Sequence, residues 1–437
     1  FITWRRNRGE TVTSDRPLSC MLLSAGSAGE PEPLLVNEHG NPLLVTACRG
    51  AGRLALFPFS ISLFSMEYLG HACGADDIFT RSIIWAARKP FLTTGMPPQG
   101  GLVIDDCSGS YDHFGYVDIM NRYGWKPYTA LFTETIDEVA HEDTAAAAKR
   151  LKRGWDEGTL EIGFHALRYN DSFCFSHPEQ RPLRDDELRE RFEQWDRYEK
   201  SWGIRHSSWA HPHFGEISSA ALPYYRERGT AFLTYLLPFD AAWFEVPDKK
   251  DPLPHLPPFG HPGYIFTEVP ECPGITVCNC VLDHKSREST DYVVQTDYLW
   301  NHTCFWNESD APRPLINEAA ATLAAQLRRG VDSGFYGEGA THEQRVACLR
   351  PGELEELFQE TELLMQRYDL EKVLLSRAME SMKQHQRSSL VSVSAPVSGS
   401  GIRYRFASDA AVGMQVQVHR ENSELAQGIE TEQVVLT

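Results

Sequence analysis

Between residues 98 and 312 this chain alternates short apolar runs with segments long enough to be helices, and that alternation limits its possible folds more than any other feature. GGLVIDD reads as a buried strand, YVDIMNRYG as a helix ending at Gly124, and KPYTALFT as the next strand. HEDTAAAAKRLKRGWDEG is a long helix rich in Ala and Lys, and LEIGFHAL is a third strand. RDDELRERFEQWDRYEKSW sets Leu188, Phe192, Trp195 and Tyr198 at three- and four-residue steps, which makes one apolar helix face. IRHSSWAHPHFG, a helix ending near Gly229, and AFLTYLLPF continue the series. Strands and helices that alternate in this way build βα units, and so the expected fold is α/β with a parallel sheet or (β/α) barrel.

The flanks are expected to be different. Residues 1–97 read as a partial α/β unit: LLVTACRGAGRLALFPFSISLF is two β-prone runs around a turn at Gly50 to Gly52, and DDIFTRSIIWAARKPF is helical. Residues 313–387 read as helices completing or covering the barrel, and 388–437, after SSLVSVSAPVSGSG, as a small β appendage. PDKKDPLPHLPPFGHP is too rich in Pro to be regular, and a loop of that length in a barrel rims the active-site face. GFYGEGATHEQR sets His342 and Glu343 after a Gly-rich turn, read as a helix N-terminus or a cap on a substrate cleft.

Composition removes several function classes. With 42 Lys+Arg against 60 Asp+Glu, the net charge of −18 argues against a nucleic-acid partner, because phosphate contacts need clustered basic residues. No run approaches ~18 uninterrupted apolar residues, so no transmembrane segment is expected. The ten Cys contain no CxxC pair, which excludes a zinc ribbon. They read as buried thiols of a reducing, cytoplasmic compartment, with disulfides in a secreted enzyme as the alternative. The chain begins at Phe1 rather than Met, which reads as a missing N-terminal piece and leaves export open. The 10 Trp, 16 Tyr and 22 Phe beside 16 His suit stacking on sugars and binding of metal. Neither the sugar nor the oligomeric state is fixed by the sequence.

The chemistry concentrates at Leu102 to Gly109. Asp105 and Asp106 follow an apolar strand, at the end of a parallel barrel where βα-loops assemble active sites. Side chains alternate along a strand, but where the chain turns both carboxylates can reach one site. One can then hold a metal while its neighbour, kept ionised by that charge, acts as a general base. Further along, His211 and His213 lie on one face if HPH is a strand, and so read as ligands or substrate contacts.

These residues resemble the polysaccharide deacetylase (NodB homology) family, whose first motif is a strand ending TFDD followed by a Gly; Ile104, Asp105, Asp106 and Gly109 match it in type. The resemblance implies a barrel of that type, Asp105 as catalytic base and Asp106 as ligand of a divalent metal, usually zinc. EIGFHAL resembles the strand that carries the family's HxxxH motif and implies His165 as a second ligand. Tyr169 stands where the second His of that motif belongs, which leaves Asn170, Asp171, His211 or His213 to replace it. Phe214 and Gly215 match the end of the third motif, Asp240 and Trp243 resemble the fourth, and Leu282 to His284 the fifth. By that likeness Asp240 supports the catalytic groups, His284 is the general acid, and Tyr169, Asp171, Phe214 and Trp243 contact substrate. The implied activity is removal of the N-acetyl group from an amino-sugar glycan. A glycoside hydrolase on a barrel and a non-catalytic carbohydrate-binding relic are the alternatives. Residues 1–97 resemble the closing part of glutamine-amidotransferase-like or flavodoxin-like accessory domains.

Overall fold

A computed structural model of the chain describes residues 2–3, 8–9, 11, 19–21, 32–60, 76–87, 91–139, 144–234, 239–242, 265–279, 297–299, 315–332, 334–394, 403–407, 415–422, 424 and 429–435. Two compact units are distinguished: Pro98–Gly330 with Gly337–Met379, and Phe1–Pro97 with Val331–Tyr336 and Glu380–Thr437.

The first of these is the βα series. Its strands are β1 (Gln99–Cys107), β2 (Tyr128–Phe132), β3 (Glu161–Ala166), β4 (Trp209–Ala210), β5 (Phe232–Leu233), β6 (Ile265–Glu268), β7 (Thr276–Asn279) and β8 (Gly337–His342). One sheet runs β8-β1-β2-β3, all parallel, and Glu371–Lys372 also pairs with β1. A second runs β4-β5-β7-β6, parallel except for the antiparallel β6. The Ser207 N–H donates to the Ile162 carbonyl at 2.6 Å, so the segment leading into β4 lies against β3. Among the described residues the strands do not close into a ring; the expected barrel is seen as this mixed α/β arrangement of parallel sheets.

Leu102, Val103 and Ile104 of β1 and Tyr128 and Ala130 to Phe132 of β2 are buried, as strands of a parallel sheet covered on both faces must be. The charged helix Asp185–Trp202 turns Leu188, Phe192 and Trp195 inward, the face its periodicity predicts. Tyr128 determines one glycine: a Cβ at Gly163 would overlap its phenol, so only Gly lets that ring cross β3.

Residues 337–342 correct the sequence reading. GEGATH, expected as a turn, is the strand β8, paired with β1 along its length. Its glycines are there for packing: a Cβ on Gly337 would lie 2.7 Å from the Leu327 carbonyl, and one on Gly339 would overlap the Leu323 side chain. The helix Ile316–Asp332, which carries both leucines, packs on it.

The second unit holds an antiparallel sheet of Glu32–Val36, Pro42–Arg49 and Gly52–Leu56, and the helix Asp76–Ala87. Leu44, Ile78, Trp85, Ile2 and Ile429 form its buried cluster. Gln415–Glu421, in the segment expected to be a separate β appendage, pairs with Phe91–Gly95 on one side and Ile429–Val435 on the other. An amidotransferase-like or flavodoxin-like segment implies parallel strands, whereas these described strands pair antiparallel. Described cysteines 20, 48, 107, 174, 272, 278 and 348 are free thiols, and no described helix is long and apolar enough to cross a membrane.

Candidate metal centre

Two irregularities in strand pairing build the site. β1 pairs regularly with β2 through Ile104↔Thr129, then resumes at Cys107↔Leu131, so Asp105 and Asp106 lie in a bulge. Asp106 adopts a left-handed backbone, φ 53°, which Asp tolerates better than most residues. Between β2 and β3 the register steps from Leu131↔Phe164 to Phe132↔Ala166, and the extra residue is His165. A bulge re-aims side chains that strict alternation would send to opposite faces. In this way neighbouring carboxylates and one imidazole come together.

His165 Nε2 lies 3.0 Å from Asp106 Oδ1 and 3.2 Å from Asp105 Oδ1. His213 Nε2 is 3.5 Å from the same Asp106 oxygen. Asp106, His165 and His213 offer one ligand atom each, all within 4.8 Å of one another. What lies behind the imidazoles fixes their tautomers. The His165 Nδ1–H donates to the His211 carbonyl at 2.8 Å, and the His213 Nδ1–H to the Asp171 carbonyl at 2.7 Å. A carbonyl only accepts, so in each neutral ring the lone pair is on Nε2 and aims at a carboxylate. Lone pairs facing lone pairs repel unless a cation or a proton lies between them. Imidazoles anchored through the other nitrogen, beside one carboxylate, are the three-ligand donor set a catalytic zinc site uses, so these residues fit the implied metal. Phe132 holds both rings, with centroids 4.9 Å from each.

The electrostatics agree with the geometry. Burial alone would raise the Asp105 carboxyl, but the His165, His211 and His342 imidazoles outweigh it and hold the group well below the usual carboxylate range. Asp106 is also lowered, burial being overcome by the His165 hydrogen bond and the charges of His213 and His342. Burial opposes a proton on His165, yet the two carboxylates raise its pKa. His213 is pulled down to about 4, mainly by burial, so its ring is neutral at pH 7 and able to ligate.

Asp105 lies outside the three-ligand group. Its Oδ1 has no hydrogen-bond partner, and its Oδ2 faces His211 Nε2 at 3.4 Å. His211 and His213 therefore do not share one face, as an HPH strand would require. β4 stops at Ala210 and His213 begins a 3-10 turn, which sends His211 to Asp105 and His213 to Asp106. Of the residues considered for the second His, His213 lies in the three-ligand group, and Tyr169 and Asn170 are exposed. Asp171 contributes its carbonyl to His213 and gives its carboxylate to Arg191, 3.2 Å away. Phe214 stacks on His213 with centroids 3.8 Å apart. Asp240, expected to support catalysis, is exposed and caps another turn, its carboxylate accepting from Ser218 and Ser219. Trp243 and His284 lie outside the described residues.

Four residues at the end of β8 and beside it were not assigned from the sequence. His342 is register-paired with Asp105. Its Nδ1–H donates to Asp297 Oδ2 at 2.6 Å, and Asp297 also accepts from Thr341 Oγ1, at 2.6 Å, and from the Leu299 N–H. Burial works against a charge on His342, but the Asp297 bond and charge outweigh it, with Asp106 and Asp105 adding, and raise its pKa to about 9. Glu343 is fully buried and its Oε2 accepts from the Ser108 and Ser110 amides at 2.6 and 3.1 Å. Gln344 Nε2 donates to Asp106 Oδ2 at 3.3 Å. Only the THE stretch pointed to any of them, and it read as a helix N-terminus or a cap on the substrate cleft.

No family profile matches the chain, and no curated protein matches it. Among solved structures it is similar to one assigned as a polysaccharide deacetylase from Mycobacterium smegmatis, with 14% identity, a TM-score of 0.43, and coverage of 67% of this chain and 92% of that one. A CE4 family pseudoenzyme from Bacillus anthracis matches at 12% identity and a TM-score of 0.33, over 63% of each chain. A 4-alpha-glucanotransferase from Thermococcus litoralis matches at 13% and 0.37, over 64% of this chain and 38% of that one.

Proposed function

We propose that the protein is a metal-dependent deacetylase that hydrolyses the N-acetyl group of an amino-sugar glycan, on a barrel of the polysaccharide-deacetylase type. The observation that carries this reading is the convergence of His165 Nε2, His213 Nε2 and Asp106 Oδ1, with both imidazoles anchored on carbonyls through Nδ1. Asp106, His165 and His213 would hold the ion, and zinc is the ion this mixed N/O set suits. When bound, it polarises the amide carbonyl and lowers the pKa of the attacking water.

The chain's own residues supply the proton transfers. Asp105, held in its ionised form beside three imidazoles, accepts the proton as water attacks the acetyl carbon. His211 orients that carboxylate through Oδ2. His342, its Nδ1–H held by Asp297 and its charged form favoured by that carboxylate, delivers a proton to the departing amine, the role the family likeness gives His284. Acetate and a free amine result. The −18 charge of the chain is compatible with a neutral substrate and a cationic product.

A glycoside hydrolase needs its two carboxylates ~5–9.5 Å apart, flanking the scissile bond. Asp105 and Asp106 instead contact a single imidazole nitrogen, which argues against that chemistry. The test is zinc-loaded protein with N-acetylglucosamine oligomers, followed for released acetate and for new reducing ends. Acetate release that disappears with a chelator and in Asp105→Asn supports the reading. New reducing ends without acetate refute it in favour of glycosidic cleavage, and metal binding with neither product refutes it in favour of a binding relic.

A further inference from the structure

We propose that Gln344 is the positioning residue for the Asp106 ligand, its amide occupying one carboxylate oxygen so that the other alone faces the metal. This rests on the metal reading above. Asp106 Oδ1 is turned to His165 Nε2, at 3.0 Å, and His213 Nε2, at 3.5 Å, while Oδ2 accepts from Gln344 Nε2 at 3.3 Å. The two oxygens thus have separate partners, and the carboxylate is directed toward single-oxygen coordination.

The backbone is held from the same side. Glu343, the residue before Gln344, accepts through Oε2 from the amides of Ser108 and Ser110 and from both hydroxyls, the latter at 3.3 and 3.1 Å. That loop directly follows the bulge and contains Gly109 at φ 80°. Asp106, at φ 53°, is a ligand in a backbone conformation that does not hold itself. Glu343 fixes the chain that leaves it, and Gln344 fixes the rotation of its carboxylate. Without the amide, Oδ2 is free to swing toward the ion, so that the carboxylate binds through both oxygens.

The decisive variant is Gln344→Met, which keeps the side-chain length and removes the donor; Gln344→Ala is the second, in case Met is poorly accommodated. Zn2+ affinity is measured by competition with a chromophoric chelator, and coordination by the visible absorption of the Co2+-loaded protein, which weakens as coordination number rises. Loss of a second-shell partner typically costs ~10–100-fold in affinity. The expected result is at least about tenfold weaker Zn2+ binding and a weaker Co2+ absorption. Wild-type affinity and absorption in both variants would overturn the proposal. The metal centre would still stand in that case if His165→Ala abolished binding. A wild-type chain that takes up neither ion would overturn the metal reading and this proposal together.

Discussion

Substituting Asn for Asp297 tests how the His342 proton is held. The pKa of His342 stands near 9, against 6.5 for a free imidazole, even though burial alone would lower it. The difference of 2.5 units, at ~1.36 kcal/mol per unit, corresponds to about 3 kcal/mol of preference for the charged form. Most of it comes from Asp297, whose Oδ2 accepts both the Nδ1–H, at 2.6 Å, and the His342 backbone N–H, at 3.2 Å. Asn removes the charge and leaves only the more weakly acting Asp106 and Asp105 to oppose burial, so the pKa falls toward 6.5. Because the folded value is raised, wild-type stability from this pair is fully present below pH 6.5 and lost as pH rises through about 9. In the variant that pH-dependent part shrinks, while a pH-independent cost of ~1–3 kcal/mol arises wherever the Asn amide confronts the N–H groups Asp297 had accepted. The assay is an NMR titration of the His342 ring in metal-free wild type and Asp297→Asn, with urea unfolding at both ends of the range. A His342 pKa within half a unit of wild type in the variant would refute the reasoning.

Two further outcomes follow from packing and burial. Gly163→Ala drives a Cβ into the Tyr128 phenol, so it should cost at least the ~1–3 kcal/mol of an overpacked core and lower the urea midpoint, whereas an unchanged midpoint would mean that Tyr128 does not cross β3. Cys107 and Cys174 are buried and burial raises both thiols, Cys174 to about 12, so iodoacetamide at pH 8 should modify exposed Cys48 first; mass spectrometry showing Cys174 labelled as early would contradict this.

How much of this was legible in the sequence depends on what each residue's role requires. The strands around Asp105, Asp106 and His165 could be read because each carries an apolar run with helical segments between. That the adjacent carboxylates share a site was foreseen, but its cause, a bulge in β1, was not, because register is a property of two strands together. The choice between His211 and His213 turned on where β4 stops, one residue before His211. β8 was hidden because its glycines, present to admit Leu327 and Leu323, are also the commonest turn residues. Asp297 has no local signature: it acts only through the fold, which brings it against a residue 45 positions away. Asp240 was misplaced because a carboxylate that caps a turn looks the same in sequence as one that supports catalysis.

The most direct test of the metal centre is the zinc content of dialysed protein after loading, in wild type, His213→Ala and His211→Ala. Asp106, His165 and His213 form the candidate ligand group, and His211 faces Asp105 instead. One tightly held zinc per chain is expected in wild type, with retention in His211→Ala and loss in His213→Ala. A wild-type chain without zinc, or zinc kept by His213→Ala and lost by His211→Ala, would contradict this assignment.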